Sequence, residues 1–398
     1  MTADSQTLAD RLFGPATTAP TFSTPSVIWA MLDSGKGISD LILSPGRPLQ
    51  VEQHGELSPV EIRGLDMLRG ADTARLARDI IGDNRTALQA LQEQGACDLS
   101  YSLPEKARFR VNIFRQRGSY AIVMRVIASR IPTLGELKLP ASLIEIASLK
   151  NGIVLVTGPT GSGKSTTLAA IIDLINETRA DHILTIEDPI EFLHHHKKAT
   201  VHQRELHSDT PTFSLSLRAA LRQAPKVILV GEMRDRETIE IAIEASETGH
   251  LVMSTLHTID ASKTVERIIG TFPLGEQPAM RTRFSKVFQY IISQRLLPRQ
   301  DGKGRVAILE VLKGTLRTRG YVEQGEADGK TLLDAMKVGG DEGMQHFDGE
   351  IEKLIRAGLI STDTGINYAT NSNNLRLNIS DVLEEQRQAE KIAAATTG

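Results

Sequence analysis

Residues Gly158, Pro159, Thr160, Gly161, Ser162, Gly163, Lys164, Ser165 and Thr166 follow one another in the chain. They satisfy the G-x-x-x-x-G-K-[ST] pattern at every fixed position. Each residue type has a reason to be there. The glycines let backbone N–H groups close around an anion, and a helix starting after the loop adds partial positive charge. The lysine amine reaches β- and γ-phosphates, while the Ser165 hydroxyl is a Mg²⁺ ligand. The flanks supply the context the pattern needs. Residues 153–156 are apolar and β-branched, which predicts a strand, and residues 167–172 predict a helix. A chance glycine turn does not explain strand, loop and helix in that order; a bound nucleoside triphosphate does. ATP and Mg²⁺ are the expected cofactors.

Hydrolysis needs more: groups that hold metal and orient water. Two acidic clusters follow apolar runs, one with Glu187, Asp188 and Glu191, the other with Glu232. Carboxylates just past parallel strands lie where open α/β sheets bind ligands. They can hold Mg²⁺ through water or act as general base. A solvated loop is the simpler reading of either cluster alone; both behind strands of one sheet favour chemistry. His250 precedes the run 251–254 and His257 follows it. An isolated histidine is more often structural, yet the position of His257 makes it a candidate γ-phosphate sensor. His194, His195 and His196 are adjacent, which makes sharing one ion awkward, and Lys197 and Lys198 beside them repel a cation. That stretch is expected to be an exposed loop.

Arginines are dense. Arg108, Arg110, Arg115 and Arg125 precede the sheet region, and Arg204, Arg218, Arg222, Arg234 and Arg236 lie within it. Solvated surface charge is the default for each. A guanidinium supplied from another domain or subunit can also neutralise charge that develops in phosphoryl transfer. Arg108, Arg110 and Arg125, on neighbouring predicted strands, are candidates, as are Arg204 and Arg218. The sequence leaves open which of them acts.

The elements that must position these groups fall into two patterns. From residue 25 to about 130 the signals are mixed α+β: a helix over 27–32, a short strand over 40–43 and helical periodicity over 73–91. Period-two strands follow at 98–102, 107–114 and 120–126. Pro132 marks a boundary. Beyond it, nearly continuous apolar strands at 153–156, 182–186, 227–230, 251–254 and 306–309 alternate with helices, which predicts a parallel sheet covered on both faces. After about Gly314 only helices are expected. Residues 1–25, with the Pro/Thr-rich run 14–21, are expected to be a flexible tail, and residues 378–398 a second tail.

Composition narrows the classes further. The chain has 398 residues, 40% hydrophobic and 24% charged, enough for two or three domains with sizeable cores. A formal net charge of −3 and only 4% aromatic residues offer little for phosphate tracking or base stacking, so no nucleic-acid partner is expected. One cysteine, Cys97, excludes a disulfide framework and a Cys-rich zinc site, and reads as a small buried hydrophobe. No apolar run approaches the ~20 residues of a membrane span and no signal peptide is evident. A cytoplasmic protein is expected, reaching a membrane only through a partner, without direct insertion.

Three further stretches carry a resemblance. Residues 183–192, Ile-Leu-Thr-Ile-Glu-Asp-Pro-Ile-Glu-Phe, look like the Asp box of secretion-superfamily ATPases. Val230, Gly231, Glu232, Met233, Arg234 and Asp235 resemble their atypical Walker B. Glu247, Thr248, Gly249 and His250, with Thr255, Leu256, His257 and Thr258, look like the His box. Gln203, Arg204 and Glu205, and residues 219–225, add family spelling. The resemblance covers roughly residues 26–376 and is nearest to the type IV pilus retraction ATPases, the PilT/PilU family. A single cysteine cannot make the tetracysteine zinc insertion usual in the assembly and secretion branch. Residues 343–348 and 373–377 resemble the retraction group, and residues 301–305 are similar to PilU.

The resemblance implies a fold and a set of roles. The fold is α/β: a PAS-like N-terminal α+β domain over 26–132, then a RecA-like P-loop domain over 133–377 with a helical C-terminal segment from about 315. The assembly is a homo-hexamer with nucleotide at subunit interfaces. Glu191 is the catalytic glutamate, Glu232 the acid near Mg²⁺, His250 and His257 the His-box residues, and Arg108, Arg110 and Arg125 the arginine-bearing strands. The partners are an inner-membrane pilus platform protein (PilC-like) and a paralogous pilus ATPase, at the inner face of the cytoplasmic membrane. The group's A-I-R-N-L-I-R-E motif is not intact; residues 315–323 read Thr-Leu-Arg-Thr-Arg-Gly-Tyr-Val-Glu. An accessory nucleotide-binding subunit, or an assembly or secretion ATPase, is the alternative.

Overall fold

The computed structural model describes residues 3–14, 22–53, 55–104, 106–127, 130–384 and 388. It divides into two compact units. One comprises Met1–Arg130 with Pro189–Leu193 and Glu205–Pro211; the other comprises Ile131–Asp188, His194–Arg204 and Thr212–Gly398. The chain passes between them just before the expected Pro132.

The first unit is an antiparallel sheet with helices. Its strands are β1 (Ile38–Leu43), β2 (Leu49–Gln53), β3 (Glu56–Val60), β4 (Ala96–Leu103), β5 (Ala107–Gln116) and β6 (Ser119–Ile127), in the order β3-β2-β1-β6-β5-β4. Helices α1 (Ala3–Phe13), α2 (Thr24–Asp33), α3 (Gly70–Ile81) and α4 (Arg85–Gln94) complete it. Alternation puts Phe109, Val111 and Ile113 of β5 in the core with Ile28, Leu76 and Leu88 of the helices. The single periodic stretch expected over 73–91 is two helices. Gly82 ends the first at φ 54°, and the Asn84 side chain caps the second by accepting the Ala87 N–H at 3.0 Å. β3 escaped the sequence reading because four of its five residues are exposed and it carries Pro59, a residue suited to a sheet edge.

The expected tail over 1–25 is corrected in its first half. Ala3–Phe13 is an amphipathic helix with Ala9 buried, and Phe13 meets the Tyr120 ring at 4.9 Å. Arg78 pairs with Asp10 at 2.5 Å, and the Tyr120 hydroxyl donates to the Leu12 carbonyl at 2.8 Å. Residues 15–21, where the Pro/Thr run falls, lie outside the described residues.

The second unit holds β7 (Gly152–Thr157), β8 (His182–Glu187), β9 (Thr200–Glu205), β10 (Val227–Val230), β11 (Leu251–Leu256), β12 (Phe288–Pro298) and β13 (Arg305–Lys313), ordered β13-β12-β7-β11-β10-β8-β9. Strands β12, β7, β11, β10 and β8 are parallel neighbours. Strand β13 was expected to extend the parallel set and instead runs antiparallel to β12. The six residues between them are too few for a parallel crossover and suffice only for a hairpin. Helices α5 (Lys164–Thr178), α6 (Phe213–Ala220), α7 (Arg236–Glu247), α8 (Ala261–Gly270) and α9 (Gln277–Val287) accompany the sheet.

Beyond β13 come α10 (Leu316–Gln324), α11 (Leu332–Val338), α12 (Phe347–Arg356), α13 (Thr362–Tyr368) and α14 (Ser372–Asn378). Phe347, Ile351 and Leu375 form a core with Leu297 and Ile308 of the hairpin. Ile379 is fully buried in the same core, so the expected C-terminal tail does not begin at residue 378. Most of residues 385–398 lies outside the described residues. No described helix is long and apolar enough to cross a membrane.

Candidate nucleotide site

Every residue of β7 is buried, and the strand ends at Thr157, directly before the glycine loop. Gly158 has φ 141° and Gly163, at the N-cap of α5, φ 90°. Both are conformations that a side chain disfavours. There is also no room for one: a Cβ on Gly158 would collide with the Gln294 carbonyl oxygen, and one on Gly163 would lie 2.8 Å from Gln294 Nε2. Pro159, Thr160 and Gly161 form the exposed tip. Lys164 is buried, and its Nζ donates to the carbonyl oxygens of Gly158 (2.9 Å) and Pro159 (3.0 Å), which anchors the amine across the loop. Ser162 Oγ is buried with no hydrogen-bond partner among the described residues. A loop of backbone N–H groups at a helix start, with a fixed ammonium and an unsatisfied hydroxyl, fits a phosphate chain.

Gln294, in the middle of β12, holds this loop. Its Oε1 accepts the Thr167 hydroxyl and its Nε2 donates to the Ser162 carbonyl, both at 2.7 Å and both buried. The sequence reading missed β12 altogether. The signal available was the polar Ser-Gln-Arg break between the apolar residues 290–292 and 296–297.

Parallel pairing puts the other reactive groups on the same sheet edge. Thr157 and Leu256 are register partners, so the glycine loop and His257 leave adjacent strands side by side. Glu232 lies two residues past β10, which pairs with both β11 and β8. The Thr255 hydroxyl donates to the Gly231 carbonyl at 2.7 Å and fixes the turn. Glu232, with 15% of its side chain exposed, pairs with Arg234 at 2.6 Å and faces His257 Nε2 at 3.6 Å. Glu187 ends β8 and accepts the Thr185 hydroxyl (2.6 Å) and the Gln203 amide (3.0 Å). An acid flanked by a guanidinium and an imidazole, beside a phosphate loop, can engage metal-bound water or a terminal phosphate.

His250 precedes β11 and so occupies the opposite edge of the sheet from His257. There its Nδ1 lies 2.9 Å from the Ala245 carbonyl, and its own carbonyl accepts the Gly152 N–H. Arg218, on α6, pairs with Glu237 at 2.9 Å on the surface, and Arg204 is half-buried near the end of β9. In the first unit, Arg108 pairs with Glu205 at 3.0 Å and Arg125 with Asp40 at 2.9 Å, while Arg110 is exposed. Glu191 is exposed on Pro189–Leu193, a segment grouped with the first unit and tied there by Glu205, whose Oε2 accepts the Ile190 N–H at 3.0 Å. The histidine run is only partly the exposed loop expected. His195 and His196 are exposed, but His194 is buried and burial pushes its pKa down to about 4.

A cavity of about 400 Å³ opens beside the helix start, lined by Gly163, Thr166 and Thr167. Leu139, Leu296 and Val306 give it apolar walls, and Arg299 and Arg305 line it too. Its size suits a nucleoside.

A sheet of this topology, with a phosphate loop leaving its interior strand and an acid and a histidine on the neighbouring strand ends, is that of a RecA-like P-loop nucleotide hydrolase. The model of the family described as "Type II/IV secretion system protein" matches residues 91–364. The "Type IV pilus retractation ATPase PilT" of Pseudomonas aeruginosa is 43% identical over 328 residues, 82% of this chain and 93% of the relative. The same organism's "Type IV pilus ATPase PilU" is 38% identical over 91% of this chain and 93% of its own length. A crystal structure of the pilus retraction motor PilT with bound ADP superposes with a TM-score of 0.77 at 40% identity, covering 89% of this chain and 98% of that one. The chain belongs to the Type II/IV secretion system protein family, in its PilT/PilU group, and is an ATP-hydrolysing, nucleotide-binding enzyme.

Proposed function

We propose that the chain is a hexameric, Mg²⁺-dependent motor that powers type IV pilus retraction, working at the inner face of the cytoplasmic membrane on a pilus platform protein. The observation that carries this reading is the shared sheet edge on which the Lys164 loop, Glu232 and His257 lie together. The 43% identity to a pilus retraction ATPase supports the direction of the motor. The glycine loop grips the phosphates and the cavity beside Gly163 takes the nucleoside. Ser165 would hold Mg²⁺ and Glu232 would reach it through water, and an ion held there would supply charge neutralisation at the phosphates. Glu191 orients the attacking water, and His257 reads the terminal phosphate.

Arginines complete the site from a neighbouring subunit. Arg110 is exposed and pairs with no carboxylate among the described residues, whereas Arg108 and Arg125 are engaged by Glu205 and Asp40. His250, at the opposite edge of the sheet from His257, and Arg204 and Arg218 act at the subunit boundary in this reading.

Two measurements test the proposal. Glu191→Gln is expected to keep nucleotide binding and lose about 100-fold or more of turnover; unchanged turnover removes Glu191 from its role. Deleting the gene in its own organism is expected to leave surface pili that accumulate and do not retract. Loss of pili would instead identify an assembly motor. The Thr315-capped helix α10, with Gly320 inside it and Leu316 92% exposed, favours a second reading as an accessory motor. Turnover only in the presence of a paralogous pilus ATPase would establish that one.

A further inference from the structure

A row of buried polar side chains crosses three strands behind the phosphate loop. Thr157 closes β7, Ser293 is its register partner on β12, and Glu310 is the partner of Ser293 on β13. None is more than 4% exposed. The Thr157 hydroxyl donates to Ser293 Oγ at 3.0 Å, and the Ser293 hydroxyl donates to Glu310 Oε1 at 3.5 Å. The same Oε1 accepts the backbone N–H of Ala261, the first residue of α8, at 2.8 Å. Ala261 lies four residues beyond His257. The intervening segment is pinned by Asp260, which caps α8 through Lys263 N at 2.7 Å, and by Thr258, whose hydroxyl meets that of Thr264 at 2.6 Å.

Successive strand residues face opposite sides of a sheet. Ser293 therefore joins the α8 side while Gln294 holds the phosphate loop on the α5 side. β12 thus ties the loop that grips phosphate to the segment that follows His257. A carboxylate is an expensive way to close this row. Burial, with a smaller push from Asp260, raises Glu310 to about 7 against the opposing effects of the Ala261 N–H, Arg295 and the Ser293 hydroxyl. An apolar side chain of similar size costs less in such a place.

We propose that Glu310 is a positioning residue for ATP hydrolysis: by accepting the first N–H of α8 it fixes residues 257–260 in register with Thr157 at the root of the phosphate loop. The inference rests on the reading that His257 acts at the terminal phosphate. It assigns the work to an acceptor oxygen, which Glu310→Gln keeps and Glu310→Leu removes. Ala261→Pro removes the donor instead, at a first-turn position where proline is tolerated, after Asp260 in extended backbone at φ −157° and ψ 176°.

The test measures kcat, KM and the affinity for a fluorescent ATP analogue with the purified full chain, with His257→Ala alongside. Glu310→Leu and Ala261→Pro are expected to lower kcat by about 10-fold or more, with nucleotide affinity within about twofold of the parent. Glu310→Gln is expected to stay within about threefold of the parent in kcat. Three results overturn the proposal: parental kcat in both Glu310→Leu and Ala261→Pro, affinity falling in step with kcat, or Glu310→Gln as slow as Glu310→Leu. Parental kcat in His257→Ala overturns the role of His257 itself. A slowed His257→Ala beside a parental Glu310→Leu and Ala261→Pro overturns only the positioning role.

Discussion

Gln294 and Thr167, 127 residues apart, share a buried hydrogen bond of 2.7 Å that joins the hairpin strand β12 to the first turn of the phosphate-binding helix. The same amide reaches the Ser162 carbonyl, so one side chain fixes the loop on both sides of Lys164. Gln294→Leu keeps the bulk and removes both bonds. A buried group left unpaired costs about 1–3 kcal/mol, and here part of that cost falls on the nucleotide-binding geometry. The expected result is nucleotide affinity weaker by about 10-fold, read by titration with a fluorescent analogue, with a lowered melting temperature. Parental affinity would show that the loop holds its shape without the amide.

Glu205 is the corresponding clasp in the first unit. Its carboxylate is 5% exposed and takes Arg108 and the Ile190 N–H, each at 3.0 Å. Removing one partner of a buried pair strands the other charge, so Glu205→Ala is expected to lower stability by about 3 kcal/mol in denaturant unfolding. Arg108→Ala should cost a comparable amount. The double variant should be less destabilised than the two losses added, because no charge is then left alone. Hydrogen exchange at the Ile190 amide should quicken in Glu205→Ala. Strictly additive losses would mean that Arg108 and Glu205 do not depend on each other.

The phosphate loop was legible because its residue types and spacing are themselves the chemistry. Glu232 and His257 were legible because parallel strands deliver their following residues to one edge. Gln294 and Glu310 were not, since Gln294 sits in a short polar break of an apolar strand and Glu310 stands alone in another, and the meaning of each lies in a partner far away in sequence. The antiparallel turn into β13 was written in the short, glycine-containing stretch 299–304, but the apolar pattern of 306–309 outweighed it. Helix α1 was obscured by the Pro/Thr-rich run after it. Its apolar residues Leu8, Leu12 and Phe13 keep helical spacing, and they pack on the core of the first unit.

Cys97 gives a clean report on that core. It is the chain's one cysteine, buried on β4, and burial pushes its thiol up to about 12. Thiolate is the reactive form, so the native protein is expected to resist a maleimide at pH 7.5 and to be labelled at the rate at which the first unit opens. Destabilising variants such as Glu205→Ala should label faster. Labelling as fast as that of a free thiol would contradict the burial.

His194 and Glu310 set opposing pH dependences within the second unit. Burial moves His194 from 6.5 down to about 4 and Glu310 from 4.5 up to about 7. Below pH 6.5 the unfolded chain protonates His194 while the folded one does not. That contribution is fully present above 6.5 and is lost as pH falls to about 4. Glu310 works the other way. The folded chain keeps its proton up to about 7 while the unfolded chain releases it above 4.5, so stability is full below 4.5 and is lost as pH rises to about 7. Each difference is worth about 3 kcal/mol, and between pH 4.5 and 6.5 the two nearly cancel. Replacing either residue should unmask the other. Relative to the parent, Glu310→Gln should gain stability progressively as pH rises from 4.5 to 7. His194→Phe should gain it progressively as pH falls from 6.5 to 4, and the double variant should show both trends. Urea unfolding at half-unit pH steps reads these differences, with the remaining titrating groups common to every variant. Curves that run parallel to the parent would mean that neither group is held away from its ordinary value.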